Sequence, residues 1–335
     1  MKRVTLRGWS RLSAAVAITA GLVSMCPGAT SAAAQVLQHD HWTSPERVPF
    51  DLLAGPLFPS VSCTEAHFCA VVDQAGVVHE STGGAGPWRT FTLPSAVVTV
   101  SCRSASQCLV ADVRGDVASI RNGVATTLER IFSTSLRGPM GSRGIAVSCS
   151  PQAPQCVVAR RDGSVAVVET DGSARVQKVL PPSHLGVEAS CVGTWCMVAS
   201  GTDELAILNG GHWDDIKPIG NFYPASLTCR SSQFCLAASG YSYKVAVWNG
   251  SRWKVSSLQA KSIPLLGCTK TGQCLAVDGL TNRVAVYSGD KWSQLRSLHL
   301  ITKNTGLASG LSCAANWCSL FFSRGYKQTV TFTRT

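Results

Sequence analysis

Short apolar runs of four to seven residues recur along this chain, separated by Gly, Asn, Asp and Ser. Residues 235–239, 244–248 and 253–258 are typical: Ala, Val, Leu and Trp alternate there with small or polar residues. No stretch after the first thirty residues repeats its apolar positions with the 3.6-residue period of a helix. The pattern therefore predicts an all-β chain of short strands joined by turns.

The strand pattern itself repeats about every forty residues. Residues 228–258 match residues 267–298, and each unit contains four runs. Run A ends in a cysteine, run B begins with a second cysteine, run C is of the Val-Ala-Val type, and run D often opens with Trp. Seven such units occur, and four antiparallel strands per unit are typical of a propeller blade.

The two ends of the chain complement each other. The last unit has an A run at 311–313, a B run at 318–323 and a C run at 329–333, but no D run. Residues 41–48 precede the first A run and have the pattern of an unpaired D strand. We therefore predict a seven-bladed β-propeller of four-stranded antiparallel blades, whose N-terminal strand completes the last blade and so leaves no open sheet edge. It forms a single domain over residues 35–335.

The cysteines mark the units. The chain has fifteen, and apart from Cys26 they form seven close pairs whose first members recur at intervals of 39, 47, 42, 38, 39 and 45 residues. Each pair lies at the neck of an A–B hairpin, where facing positions come within disulfide distance. Zinc is the alternative, but it requires two pairs to converge, and a ring keeps neighbouring hairpins apart. We predict no metal, no cofactor, and seven disulfides: Cys63–Cys69, Cys102–Cys108, Cys149–Cys156, Cys191–Cys196, Cys229–Cys235, Cys268–Cys274 and Cys313–Cys318.

The first thirty-four residues have the pattern of a secretory signal peptide. Four basic residues precede an apolar run over 12–25, and Ala32, Ala33 and Ala34 offer a cleavage site. Lipid modification of Cys26 is an open alternative. Cleavage after Ala34 leaves 301 residues with 26 basic and 19 acidic side chains, a net charge of +7. We expect a secreted, extracellular monomer without stable membrane insertion, and the modest charge argues against nucleic-acid binding.

In a propeller the D–A and B–C connections lie on one face, called here the upper face. This face receives thirteen Lys or Arg and nine Asp or Glu, a net charge of +4. Such an excess favours an acidic partner, either an anionic polymer or an acidic protein, and Arg160 and Arg161 are expected to steer it. The alternative is that these charges form an ordinary solvated surface.

An aromatic cluster is predicted on the same face. Phe222 and Tyr223 lie in the D–A connection that enters blade 5, and Tyr241 and Tyr243 lie in the B–C turn of that blade beside Lys244. Four aromatic side chains and a cation are typical of a protein-binding hot spot or a sugar platform. The alternative is that Phe222 fills the core between blades and that only the tyrosines are exposed.

Motifs for catalysis are scarce. The sequence contains no Gly-x-Ser-x-Gly elbow, no phosphate loop and no His-Glu-x-x-His motif. Of the histidines, only His184 and His299 fall on the upper face. A polysaccharide lyase could use His184, Tyr241 and Arg160 or Arg161, but that assignment depends on fold analogy. We therefore expect a binding scaffold rather than an enzyme, with a carbohydrate-active propeller, lyase or lectin, as the alternative.

The repeated Ser-Cys-x₄₋₆-Cys pattern, followed by residues such as Ala276, Val277, Asp278 and Gly279, resembles the repeats of secreted, disulfide-rich bacterial propellers of the dispase autolysis-inducing type. The likeness covers the whole chain after residue 34 and lacks the Trp-Asp dipeptides of WD repeats. It implies a protein that modulates an extracellular metalloprotease and offers glutamines to transglutaminase. It assigns no individual site residue.

Overall fold

The structure is a computed structural model that describes residues 41–50, 59–64, 67–73, 75–81, 87–133, 144–214, 218–288, 290–298 and 305–332. The predicted signal peptide, with Cys26, lies outside these residues. The described part of the chain contains thirty β-strands and no α-helix.

The strands form seven antiparallel sheets, one per repeat. Blades 1 to 3 consist of β3 (Ser60–Cys63), β4 (Cys69–Val72), β5 (Val78–Ser81) and β6 (Trp88–Phe91); β7 (Val97–Ser104), β8 (Gln107–Asp112), β9 (Val117–Arg121) and β10 (Val124–Ala125); and β11 (Ile145–Cys149), β12 (Cys156–Arg160), β13 (Ser164–Val168) and β14 (Ala174–Lys178).

Blades 4 to 6 consist of β15 (Val187–Val192), β16 (Trp195–Ser200), β17 (Leu205–Asn209) and β18 (His212–Asp214); β19 (Pro224–Ser231), β20 (Phe234–Ser239), β21 (Lys244–Trp248) and β22 (Trp253–Ser257); and β23 (Pro264–Cys268), β24 (Cys274–Asp278), β25 (Arg283–Ser288), β26 (Lys291–Trp292) and β27 (Arg296–Ser297). Blade 7 consists of β28 (Ala308–Ala314), β29 (Trp317–Phe322), β30 (Tyr326–Thr331) and the N-terminal strands β1 (His41–Trp42) and β2 (Glu46–Arg47).

The blades are arranged in a closed ring. The A strand of each blade contacts the A strand of the next, and the last contacts the first: β3–β7, β7–β11, β11–β15, β15–β19, β19–β23, β23–β28 and β28–β3. The A strands therefore surround a central channel, and the predicted seven-bladed propeller is confirmed.

The N-terminal segment completes blade 7. Trp42 lies opposite Val330 and Glu46 opposite Lys327, both on β30. The A strand of this blade begins at Ala308 rather than at the predicted residue 311, with a register shift before Gly310. A Cβ at Gly310 would lie 2.5 Å from Val61 Cγ2 of blade 1, so glycine permits the two blades to approach closely here.

Each blade contains one disulfide. All seven predicted pairs are bonded, with Cα–Cα distances of 3.9 to 4.2 Å. The paired cysteines face each other directly across the A–B hairpin, as Cys149 and Cys156 do. Seven disulfides are typical of a protein that works in an oxidising, extracellular environment.

The serine that precedes the first cysteine of a repeat joins neighbouring blades. Its Oγ accepts a hydrogen bond from the backbone N–H of the first cysteine in the next blade, over 2.8 to 2.9 Å. Five junctions of the described ring have this bond: Cys102 to Ser62, Cys149 to Ser101, Cys191 to Ser148, Cys229 to Ser190, and Cys63 to Ser312. The last of these closes the ring. At the junction of blades 6 and 7 the serine is replaced by Gly267, where a Cβ would lie 2.6 Å from Cys313 Sγ.

Two kinds of residue that recur from blade to blade have structural roles. The recurrent D-strand tryptophans Trp42, Trp88, Trp213, Trp253 and Trp292 pack against the apolar clusters between blades. Asp73, Asp112 and Asp278 accept hydrogen bonds from nearby backbone N–H groups and so shape the B–C turns.

Removal of residues 41–48 should destabilise the ring strongly. A chain that begins at Pro49 lacks the strand that pairs with β30, and we expect the free energy of unfolding to fall by ~3 kcal/mol or more because apolar surface is exposed. The freed edge of β30 should also promote self-association. Chemical denaturation and size-exclusion chromatography, with a chain that begins at His41 as reference, measure both effects. Equal stability of the two chains would contradict the role of the N-terminal strand in closure.

Replacement of a junction serine should cost stability without changing the disulfides. Ser148→Ala leaves the buried N–H of Cys191 without its acceptor, which costs about 1–3 kcal/mol. Ser297→Ala is the control, because Ser297 is exposed on β27 and its change should fall within about 0.5 kcal/mol. Denaturation under non-reducing conditions measures the difference. If the two variants had the same stability, the serine bond would contribute nothing to the ring.

Candidate functional site

A cavity of about 740 Å³ lies in the central channel. Its wall consists of the first halves of the A strands, where the D–A connections enter, together with residues of the B–C turns. The cavity therefore opens on the upper face. Its mouth is formed by Tyr243, Lys261, Leu280 and Leu307, which belong to blades 5, 6 and 7.

Tyr243 lines this mouth, and the other two tyrosines of blade 5, Tyr223 and Tyr241, lie beside it in the upper connections of that blade. The N–H of Gly240 donates to the carbonyl of Tyr223 over 2.8 Å, which joins the D–A connection to the B–C turn. The Oγ of Ser239 accepts from the N–H groups of Tyr241 and Ser242 and holds the turn. The rings of Tyr223 and Tyr241 meet edge to face, with centroids 5.3 Å apart. Tyr241 is 61% exposed, and Tyr223 and Tyr243 are also exposed.

Phe222 is not part of this exposed cluster. Its side chain is 1% exposed and packs with Met197, Leu227 and Trp248 in the core between blades 4 and 5. The sequence-based assignment of Phe222 to a binding surface is therefore wrong, and the alternative, that it fills the core, is right. Composition alone did not separate Phe222 from its neighbour Tyr223, because side-chain direction in an irregular connection depends on tertiary contacts.

Arg160 is also buried, with 1% exposure, although it was predicted to steer partners. Its guanidinium lies 2.7 Å from the Asp162 carboxylate and 4.5 Å from the centre of the Phe132 ring. Burial lowers the pKa of Arg160 from its usual range, and Asp162 opposes that shift. Arg160 therefore bridges blades 2 and 3 and does not meet solvent. Arg161, the next residue, is partly exposed.

Positive charge is unevenly distributed on the described part of the upper face. Arg114 forms ion pairs with Asp112 and Asp116, and Arg130 lies 3.8 Å from Asp116. The cations of blades 2 and 3 are thus largely neutralised. Lys244 and Lys261 are exposed and form no ion pair with any described residue. Two exposed cations without a described ion pair therefore lie beside the tyrosines, in blades 5 and 6. Four of the counted cations fall outside the described residues: Arg137, Arg143, Lys217 and Lys303.

No group of three or more His, Cys, Asp or Glu side chains is placed to hold a metal ion in the described part of the chain. Within those ranges, no helix is long and apolar enough to cross a membrane. His184 is exposed on the upper face, whereas His299 lies outside the described residues.

Comparison with known proteins gives matches of fold only. No protein-family model and no curated protein matches the chain. Virginiamycin B lyase from Staphylococcus aureus has a similar structure, with a TM-score of 0.68 at 8% identity over 88% of this chain and 100% of that one. A catalytically inactive variant of this lyase with quinupristin gives 0.67 at 10% identity over the same shares. A chain of the mitotic checkpoint complex gives 0.65 at 11% identity over 88% and 95%.

The lyase structures overturn one expectation. The expectation that this chain is not an enzyme, drawn from the scarcity of local catalytic motifs, is contradicted, because two structures similar to this chain over their whole length are those of an enzyme. The physical reason is that a propeller assembles its sites from loops of different blades. A catalytic group on this fold therefore needs no contiguous motif, and the absence of motifs does not exclude catalysis.

A strongly perturbed carboxyl group lies elsewhere, in blade 1. Glu80 on β5 is 4% exposed, and burial raises its pKa to about 7, while Arg89, opposite it on β6, lowers the pKa by less. The adjacent His79 is buried too, with Nε2 2.9 Å from the Asp73 carboxylate. Perturbed carboxyl groups often mark functional sites. Glu80, however, does not line the cavity, so its effect is on stability.

Glu80 should make the ring less stable at alkaline pH. Its pKa in the folded protein is raised. Its contribution to the free energy of unfolding is therefore complete below about pH 4.5 and is lost as the pH rises through about 7. The loss is on the order of 3 kcal/mol. Glu80→Gln stays neutral, so it should match the parent near pH 4 and be more stable near pH 8, as measured by denaturation. Glu129→Gln, at an exposed position, is the control and should keep the parent profile. If the stability of the parent and of Glu80→Gln changed with pH in the same way, the raised pKa assigned to Glu80 would be contradicted.

Proposed function

We propose that this chain is a secreted binding protein that holds an extracellular partner protein on its upper face, at the mouth of the cavity. One observation carries the proposal. Of the eight exposed large apolar side chains in the described residues, Tyr243, Leu280 and Leu307 line this mouth, and two more, Tyr223 and Tyr241, lie beside Tyr243 in the upper connections of blade 5. Exposed apolar residues that are scattered singly need no explanation, whereas a contiguous group marks an interaction site.

The chemistry of the group favours a protein partner. Tyrosine supplies a large contact area with few rotatable bonds and is enriched among hot-spot residues. The edge-to-face contact of Tyr223 with Tyr241 orients the two rings, and the hydrogen bond from the Tyr241 N–H to Ser239 Oγ holds the turn, so less entropy is lost on association. The resemblance to secreted bacterial propellers makes an extracellular metalloprotease the first partner to test. It also motivates a transglutaminase assay, since Gln152 and Gln259 are exposed.

A carbohydrate-active propeller that acts on an anionic polysaccharide is the second candidate. It is supported by the fold shared with an enzyme, virginiamycin B lyase, and by Tyr243 and the unpaired Lys261 at one cavity mouth. A panel of anionic polysaccharides, assayed for unsaturated products and new reducing ends, tests this activity. Turnover that is lost on Tyr241→Phe would replace the binding proposal by an enzymatic one.

Loss of two tyrosines should weaken binding without unfolding the ring. Tyr223→Ala combined with Tyr241→Ala should reduce the affinity for the partner protein by about 2 kcal/mol, because both rings are exposed and contribute contact area. Biolayer interferometry against a purified secreted metalloprotease measures the affinity, and thermal unfolding measures the fold.

The matched control is Val124→Ala combined with Val176→Ala, which removes two exposed apolar side chains from the D strands of blades 2 and 3, away from the blades that form the mouth. This variant should bind like the parent. A tyrosine variant that binds normally but unfolds earlier would show that the cluster is structural, and the proposal would fail. The same holds if the parent binds neither the metalloprotease nor any other extracellular protein tested.

A further inference from the structure

The interior of the cavity is mainly apolar. Val61, Val100, Val147, Leu266 and Leu311 line its wall from five different blades. Ser62 and Ser101 lie at the deep end, but their hydroxyl oxygens already accept the N–H groups of Cys102 and Cys149. Its volume of about 740 Å³ is within the usual range for ligand pockets. Such a space favours an apolar group that is larger than a methyl.

The mouth is held open in a defined shape. The buried Asp278 carboxylate accepts hydrogen bonds from the N–H of Lys261 and of Leu280, and from the hydroxyls of Ser262 and Thr281. Burial alone would raise the pKa of Asp278, but these donors lower it overall, so the carboxylate stays ionised. Asp278 thus holds Lys261 and Leu280 at neighbouring points of the rim.

Charge differs across the opening. The unpaired Lys244 and Lys261 belong to blades 5 and 6. An occupant that carries negative charge therefore meets the cations of blades 5 and 6 on one side of the opening. This asymmetry selects both the chemistry and the orientation of the occupant.

We infer that the cavity receives an apolar side chain from an acidic peptide segment of the partner, while the acidic residues that flank it pair with Lys244 and Lys261. This inference rests on the proposed function and names the chemistry of the partner. The apolar side chain enters between Leu280 and Leu307, and the flanking chain crosses the rim on the side of blades 5 and 6. Charge complementarity at the rim supplies orientation, and burial of the side chain supplies affinity.

A fluorinated peptide tests the inference without an identified partner. The probe is a capped heptapeptide with 4-fluorophenylalanine at its centre and three glutamates on each side. Its ¹⁹F signal should broaden on addition of the protein. Two unlabelled competitors follow: one with glycine at the centre, and one with phenylalanine at the centre and lysines on each side. Both should compete at least about tenfold less well than the unlabelled acidic phenylalanine peptide.

Variants locate the site. Leu280→Asp removes apolar contact and adds a repelling charge at the rim, and Lys261→Glu reverses an unpaired cation; each should weaken probe binding by about tenfold. Val124→Asp and Lys254→Glu make the same changes at exposed positions on D strands and should bind like the parent. Circular dichroism confirms folding, and Leu280→Ala serves if the aspartate variant does not fold.

Three results would overturn the inference: no broadening with the parent protein, a glycine competitor as effective as the phenylalanine peptide, or control variants that weaken binding as much as the rim variants. The cavity inference and the proposed function can fail separately. If a partner protein binds through the tyrosines and is unaffected by Leu280→Asp and Lys261→Glu, only the cavity inference fails. If the peptide binds as expected but no extracellular protein does, the proposed function fails.

Discussion

The hydrogen bond from a cysteine N–H to the serine of the preceding blade holds this ring together. A buried backbone N–H needs an acceptor, and the A strand lies at the inner edge of its sheet, where no further strand can supply one. Ser62, Ser101, Ser148, Ser190 and Ser312 provide that acceptor from the neighbouring blade. Because the same cysteines carry the disulfides, each bond ties one stapled hairpin to the next. The bond from Cys63 to Ser312 makes the arrangement circular.

The wall of the cavity follows from this arrangement. At the deep end of the cavity, the serine hydroxyls accept hydrogen bonds from the cysteine N–H groups. Above them, apolar residues of the A strands line the wall. The two described junctions without the bond lie between blades 5 and 6 and between blades 6 and 7, where Thr228 and Gly267 occupy the serine position. The exposed tyrosines and leucines of the mouth belong to these three blades. The part of the ring with the most varied junctions is thus the part that presents the candidate binding surface.

Electrostatics divides the upper face in the same way. Blades 2 and 3 use their cations internally, since Arg114, Arg130 and Arg160 are paired with Asp112, Asp116 and Asp162. Blades 5 and 6 leave Lys244 and Lys261 to solvent. A net charge counted over the whole face therefore overstates the positive field near blades 2 and 3 and understates it near blades 5 and 6. Function on this fold depends on which loops of the ring keep their charges unpaired.

The sequence by itself determined the number of blades, the closure by the N-terminal strand and every disulfide, because these depend on local period and on facing positions within one hairpin. It also placed Tyr223, Tyr241 and Tyr243 on one face, since connection type decides the face in a propeller. Only the tertiary structure decided that Phe222 and Arg160 are buried, that Leu280 and Leu307 join the tyrosines, and that a cavity lies beneath them. These features arise where residues of different strands and blades meet, well beyond the span of one hairpin, and no local pattern records such contacts.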